Sequence, residues 1–245
     1  MRSPDPLTRD EKVRLTGLAR DLEAWAATSG RTFPWRSADA TTYEQITVEV
    51  LLQRTTAAAV GRFYEAFFSR FRDWESLSAA TIDELESFLK PLGLWRRRAS
   101  ALTGLARYAF ANGGRFPSDP LLHDDIPAVG QYVSNAILLF QHAQPAPLLD
   151  GNMARVVERF VRPRRLVDIR HDPWLQDAAR WLVRGPKSRL VSWAVLDFAA
   201  TVCKLGRPLC NSCPVRDRCA YFRGTGLNTS RVLRPASVAR ETTCR

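Results

Sequence analysis

Four cysteines crowd into one short stretch: Cys203, Cys210, Cys213 and Cys219, with six, two and five residues between them. Four thiolates at this spacing can close a tetrahedral zinc site or hold a [4Fe–4S] cluster. Structural zinc usually rests on two short cysteine knuckles, and only Cys210 and Cys213 are that close. The spacing therefore favours the cluster. Lys204 and Arg207 lie between the first two ligands, and Arg216 and Arg218 between the last two. Such a basic surface suits an electron carrier or contacts to a nucleic-acid backbone.

Two carboxylates can also do chemistry. Glu49 has Gln45 and Gln53 one helical turn to either side, and by periodicity alone the three form a solvated polar stripe. Asp150 precedes Gly151-Asn152-Met153 at a helix start, the place of an N-cap. Ile126-Pro127-Ala128-Val129-Gly130 joins two helical segments, and a glycine turn feeding a helix exposes backbone N–H groups to an anion.

The elements that must position these groups read as helices. Thr8 and Glu11 form a capping box, followed by Val13, Leu15, Leu18, Leu22 and Trp25 at helical spacing. Pro34 ends that helix. A second runs from about Tyr43 through Arg54 and Thr55, and a third carries Val60, Phe63, Tyr64, Phe67 and Phe68. Thr81 and Glu84 form another capping box, opening a helix that stops at Pro91-Leu92-Gly93. Residues 95–112 are amphipathic, an apolar helix follows Gly130, and others start at Asp150 and lie near 173–184 and 188–202. Strand alternation is nearly absent, so the fold class is all-α.

The chain has 245 residues, enough for one or two domains with a good core. Lys and Arg exceed Asp and Glu by 36 − 25, a net charge of +11, and lysine stands only at 12, 90, 187 and 204. A polyanion partner is expected. No apolar run approaches the ~20 residues of a membrane span, and the charged N-terminus lacks an apolar signal core. A cytoplasmic protein with no membrane partner is expected. No heptad seam appears, so a monomer is expected. Clustered cysteines in such a protein point to metal, with Cys244 outside the cluster.

Taken in order, PWR at 34–36, EVLLQRTT at 49–56, IPAVGQYVSNAI at 126–137, LLDGN at 148–152 and the four cysteines resemble the helix-hairpin-helix DNA glycosylases of the endonuclease III and MutY type. The resemblance covers about residues 33–222. It implies a two-domain all-α fold. Residues 35–145 would form a six-helix barrel with the hairpin at about 125–137. Residues 146–222 would form a [4Fe–4S] cluster domain, joined by the N-terminal helix within 1–34, and 223–245 a loose basic tail. The implied partner is double-stranded DNA with a mismatched or damaged base, which flips into the cleft between the domains.

The same resemblance assigns roles. Asp150 would be the essential aspartate, supporting an oxocarbenium-like sugar or activating water. Glu49 would face the base pocket and protonate the leaving base. Tyr132 stands where bifunctional endonuclease III enzymes carry a Schiff-base lysine and MutY enzymes usually a serine; tyrosine is similar to the Mig-type thymine/uracil–guanine mismatch glycosylases. Arg54 and Thr55 would face the gap left by the flipped base. Leu94 and Trp95 resemble the wedge that fills it, with Arg96, Arg97 and Arg98 meeting phosphates. Val129, Gly130 and Gln131 on the hairpin, and Lys204 and Arg207 on the cysteine loop, would contact the backbone. Cys203, Cys210, Cys213 and Cys219 would hold the cluster.

Ala128 departs from the family's usual glycine, and LDGN at 149–152 is closer to the MutY pattern. Only 23 residues follow Phe222, which is expected to leave no room for the 8-oxoguanine-recognition domain of MutY enzymes. The expected function is a monofunctional glycosylase for thymine or uracil opposite guanine. The alternative is an adenine glycosylase acting on A/G or A/8-oxoguanine pairs. A non-catalytic DNA-binding protein with this fold would not need Glu49 and Asp150.

Overall fold

The computed structural model describes residues 5–224, so the expected basic tail lies almost wholly outside the described residues. Helix α1 (Arg9–Ser29) begins at the capping box: Thr8 Oγ1 accepts from the Glu11 N–H and Glu11 Oε2 from the Thr8 N–H. Thr41 and Glu44 repeat the device at α2 (Thr42–Leu51). Helix α3 (Ala57–Arg70) is capped by Thr56. Helix α4 (Trp74–Ala79) was not legible in the apolar spacing, being only six residues long; Asp73 and Ser76 box its start. At α5 (Ile82–Leu89) only half the expected box forms, Thr81 accepting from the Glu84 N–H. Then come α6 (Trp95–Ala111), α7 (Gln131–Gln141), α8 (Gly151–Phe160), α9 (Pro173–Val183) and α10 (Ser188–Thr201). Among the described residues there is no strand.

Three sequence expectations need correction. Helix α1 ends at Ser29, where the Gly30 N–H bonds to the Ala26 carbonyl, and Pro34 opens a separate 3-10 turn rather than ending that helix. Helix α2 stops at Leu51 rather than running through Thr55, because the chain turns and Arg54 takes a left-handed φ of 58°. The segment before the hairpin is no helix but a single 3-10 turn, Pro120–His123, capped by Asp119. Proline at its first position supplies the fixed φ and lacks an N–H that would otherwise go unpaired.

Helices α4 and α5 pack on α6, and α2 packs on α6 and α7. Helix α1 packs on α9 and α10, and α8 on the same pair. One apolar core runs through all of them, and α7 touches α10 where the two groups meet. Three contacts fasten connecting segments to these helices. Buried Asp197 of α10 accepts from the Arg31 N–H and Nε at 2.8 Å and from Arg36 Nη1 at 2.7 Å, holding the 31–36 segment. Removing one partner of so buried a pair typically costs ~3–5 kcal/mol. Arg14 of α1 donates to the carbonyls of Phe160 and Arg218. Gly104 of α6 has no side chain where a Cβ would come within 2.7 Å of Pro127, so the hairpin loop lies directly on that helix.

Candidate active site

Helix α2 is enclosed by the rest of the protein, and Tyr43 and all of Gln45–Leu51 are buried, polar side chains included. Of the polar stripe read from periodicity only Gln53, beyond the end of α2, is exposed; Gln45 and Glu49 are 4% and 2% exposed. Gln45 donates to the Trp35 carbonyl at 3.2 Å. Glu49 Oε2 accepts from the Tyr132 hydroxyl at 2.7 Å, across from the first turn of α7. Burial pushes the Glu49 carboxyl up to about 7, with Asp150 adding to the rise and the Tyr132 hydrogen bond and Arg36 opposing it. The Tyr132 phenol is held well above its ordinary range by burial and by the charges of Glu49 and Asp150, so it stays protonated and donates.

Asp150 is the N-cap of α8. Its Oδ1 accepts from the N–H groups of Asn152 and Met153 at 2.8 and 2.9 Å, and its Oδ2 from the Asn152 side-chain amide at 2.6 Å. The N-cap read from the sequence is thus present, and it fixes the orientation of the carboxyl. Glu49, Tyr132 and Asp150 line a single cavity of about 640 Å³, with Arg36, Asn152 and Trp193 in its wall. Sequence reasoning left those three without a role. The PWR and DGN motifs hold Arg36 and Asn152, whereas Trp193 on apolar α10 carried no signal.

A second, groove-like cavity of about 940 Å³ shares Gln53, Arg54, Tyr132 and Asp150 with the first and continues along the hairpin. Leu94, the expected wedge, is 48% exposed at its rim, in a left-handed conformation with φ 49°. Trp95 is half-buried under Arg96, 4.0 Å from its ring centroid. Arg98 does not face phosphates as expected. It is buried, donating to the carbonyls of Leu92 and Gln53 at 2.7 Å, and to the Gly93 carbonyl and Thr55 hydroxyl.

On the hairpin, Ala128 adopts φ 65°, the conformation its glycine relatives would take without strain. Val129 is buried and its N–H bonds to the Ile126 carbonyl, so it shapes the turn. Gly130 caps α7, which has no side-chain cap for its first N–H groups. The Gln131 side chain exchanges hydrogen bonds with Gln176 at 3.0 and 3.2 Å.

The four cysteines are free thiols lining one cavity walled by Leu18, Val156, Phe160 and Phe198. Burial and neighbouring thiolates raise Cys210 and Cys219, and push Cys213 up to about 11. Arg159 opposes the rise at Cys210 and donates to Cys203 Sγ at 3.5 Å, and a cationic group among the thiols would add to that compensation. The donor set fits an iron–sulfur cluster, four thiols facing one space. Among the described residues no three His, Cys, Asp or Glu side chains are gathered to hold a single metal ion. Lys204 and Arg207 are exposed on the intervening loop, whereas Arg218 is folded back onto Asp21.

Residues 47–166 match the HhH-GPD superfamily base excision DNA repair model, spanning Glu49, the hairpin and Asp150. A thymine-DNA glycosylase of Aeropyrum pernix is 34% identical over 86% of this chain and 97% of its own length. The chain belongs to the HhH-GPD superfamily. A second relative, a thymine/uracil-DNA glycosylase of Methanothermobacter thermautotrophicus, is 32% identical over 86% of this chain and 95% of its own. Among solved structures, a thermostable thymine-DNA glycosylase superposes with a TM-score of 0.76 at 28% identity, covering 86% of this chain and 98% of that one. The HhH-GPD assignment agrees with the all-α reading. No helix among the described residues is long and apolar enough to cross a membrane.

Proposed function

We propose that this protein is a monofunctional DNA glycosylase that hydrolyses the N-glycosidic bond of thymine or uracil paired with guanine. The observation that carries the reading is the Tyr132–Glu49 hydrogen bond of 2.7 Å facing the same cavity as Asp150. A carboxyl at about 7 holds a proton for much of the time at neutral pH and can pass it to a leaving pyrimidine. The Asp150 carboxylate, fixed by the N-terminus of α8, stabilises the positive charge that develops on the sugar. Water then attacks C1′, leaving an abasic site. Among the described residues the cavity lining holds arginines but no lysine, so no amine stands ready to form a Schiff base and cut the strand.

In this reading DNA lies along the joined cavities. Gly130 and the first N–H groups of α7 meet a phosphate, Arg54 and Thr55 face the vacated stack, and Leu94 fills it. Helices α2 to α7 make the barrel domain, and α1 with α8 to α10 the cluster domain, consistent with how they pack. Cys203, Cys210, Cys213 and Cys219 hold a [4Fe–4S] cluster, which when bound ties down the basic loop carrying Lys204 and Arg207. The protein acts as a monomer on mismatched double-stranded DNA.

A base-release panel tests this. Labelled duplexes carry single T/G, U/G, A/G or A/8-oxoguanine pairs, read with and without alkali. Cleavage at T or U only after alkali is expected. Cleavage at A would transfer the protein to the adenine reading, and cleavage without alkali would reveal a lyase.

A further inference from the structure

The turn that ends α2 and the turn that starts α6 are both strained, and both reach the rim of the groove. In the first, Arg54 has φ 58°; in the second, Leu94 has φ 49° after Gly93 at 69°. An arginine tolerates the left-handed region poorly, and a leucine at the start of a helix no better. Such conformations persist only where the surroundings hold them. Here backbone bonds close each turn separately, and one side chain joins the two. Arg98 is 4% exposed, and its Nη1 donates to the carbonyls of Leu92 (2.7 Å) and Gly93, while Nη2 donates to the carbonyl of Gln53 (2.7 Å) and the hydroxyl of Thr55. The two nitrogens of one guanidinium therefore divide their bonds between the two turns.

We propose that Arg98 is a positioning residue that locks the Leu94 turn and the Arg54–Thr55 turn into one rigid tool for extruding the target base. The proposal rests on the reading that Leu94 enters the stack during base release. A planar fork can bridge both turns at fixed spacing; a lysine ammonium reaches only one point and leaves the other turn free. With the bridge gone, Leu94 relaxes toward ordinary backbone angles and no longer meets the gap behind Arg54. Glu49, Tyr132 and Asp150, held by α2, α7 and α8, keep their geometry, although Gln53, Arg54 and Thr55 of the freed turn also line their cavity.

The discriminating measurement compares uracil release from a U/G duplex with release of the same uracil from an unpaired bubble, where little extrusion is needed. In Arg98→Lys the duplex-to-bubble rate ratio is expected to fall by ~100-fold, the scale of a misplaced positioning group. Leu94→Ala should lower the same ratio. Equal losses on both substrates, or no loss on the duplex, would overturn the proposal. A lowered ratio in Arg98→Lys beside an unchanged ratio in Leu94→Ala would remove the wedge reading on which it stands. Silence of the parent protein on both substrates would instead sink the base-release reading. Should Arg98→Lys fail to fold, Arg98→Gln carries the same comparison without an unpaired buried charge.

Discussion

The cavity lined by Glu49, Tyr132 and Asp150 and the cysteine segment are built by opposite means. Glu49, Tyr132 and Asp150 stand on three regular helices, in a last turn, in a first turn and at an N-cap. Their orientation follows from backbone geometry and from a core already closed around them. Residues 202–224 have only two 3-10 turns, Cys210–Ser212 and Arg216–Arg218. Their shape is imposed from outside. Arg155 donates to the Cys203 and Ala199 carbonyls, and Arg159 to those of Lys204 and Leu205. Both arginines belong to α8, so the helix capped by Asp150 also braces the cysteine loop. The pocket is thus preorganised by helices, whereas the cysteine segment depends on its braces and, in the proposed reading, on the cluster its thiols would hold.

The largest effect belongs to the cap of that shared helix. Asp150→Asn keeps a good N-cap, so thermal stability should change by less than ~1 kcal/mol. Base release should fall by about 10³-fold, while DNA binding in a gel-shift assay stays near the parent value. A variant that loses stability and activity together would mean that Asp150 serves α8 alone, and the contrast between a functional pocket and a braced loop would collapse.

Glu49→Gln comes next, with two readouts of opposite sign. Base release should drop by ~10²-fold, the usual worth of a general acid. Stability should rise at alkaline pH. The folded-state carboxyl sits at about 7 against an ordinary 4.5. The parent's Glu49 is therefore best tolerated below pH 4.5, and its contribution is lost as the pH climbs to 7. Glutamine avoids that loss, a gain of up to roughly 3 kcal/mol at pH 8 that vanishes near pH 4 in denaturant titrations. In the parent, base release should decline above pH 7 as the proton leaves Glu49. Flat activity from pH 6 to 9 would remove Glu49 as the acid.

Cys213→Ser probes the other side of the comparison. Hydrogen exchange in 203–222 should accelerate by ~10-fold or more, about 1.4 kcal/mol of local opening. Exchange in α2 and α7 should stay put. The broad absorbance near ~400 nm expected of an iron–sulfur centre should be present in the parent and lost in the variant. Acceleration that spreads equally through α2 would show that the pocket, too, leans on the cysteine segment.

The two regions also differ in how well the sequence announced them. The capping box at Thr8 and the cap at Asp150 were legible because the rules behind them are local; the box at Thr41 went unread, and the one expected at Thr81 forms only in half. Glu49 was not legible by periodicity, since a helix buried on every face carries no polar side for a stripe to mark. It became legible through resemblance. The role of Arg98 was hidden for a different reason. Three arginines in a row look like a phosphate-binding face, and only the two strained turns, 45 and 5 residues away in sequence, show that the third turns inward. Helix α4 is too short for a period to show, and the end of α2 depends on a left-handed residue that composition does not mark.

The smallest expected effect lies at the hairpin between these regions. Ala128 holds φ 65°, where an L-residue pays ~1–2 kcal/mol and glycine almost nothing. Glycine also gains freedom in the unfolded chain, which offsets part of the relief. Ala128→Gly should therefore stabilise by no more than ~1 kcal/mol, a rise in Tm of about 2–4 °C for a chain of this size. The turn keeps its path because Pro127 stays seated over Gly104 and the Val129 N–H stays bonded to Ile126. Base release should then hardly change. A fall in Tm would mean that the alanine methyl contributes packing worth more than the strain it causes. A fall in activity at unchanged Tm would mean that the hairpin's strained form is itself tuned to the phosphate it meets, and that preorganisation of the helical pocket extends into a loop.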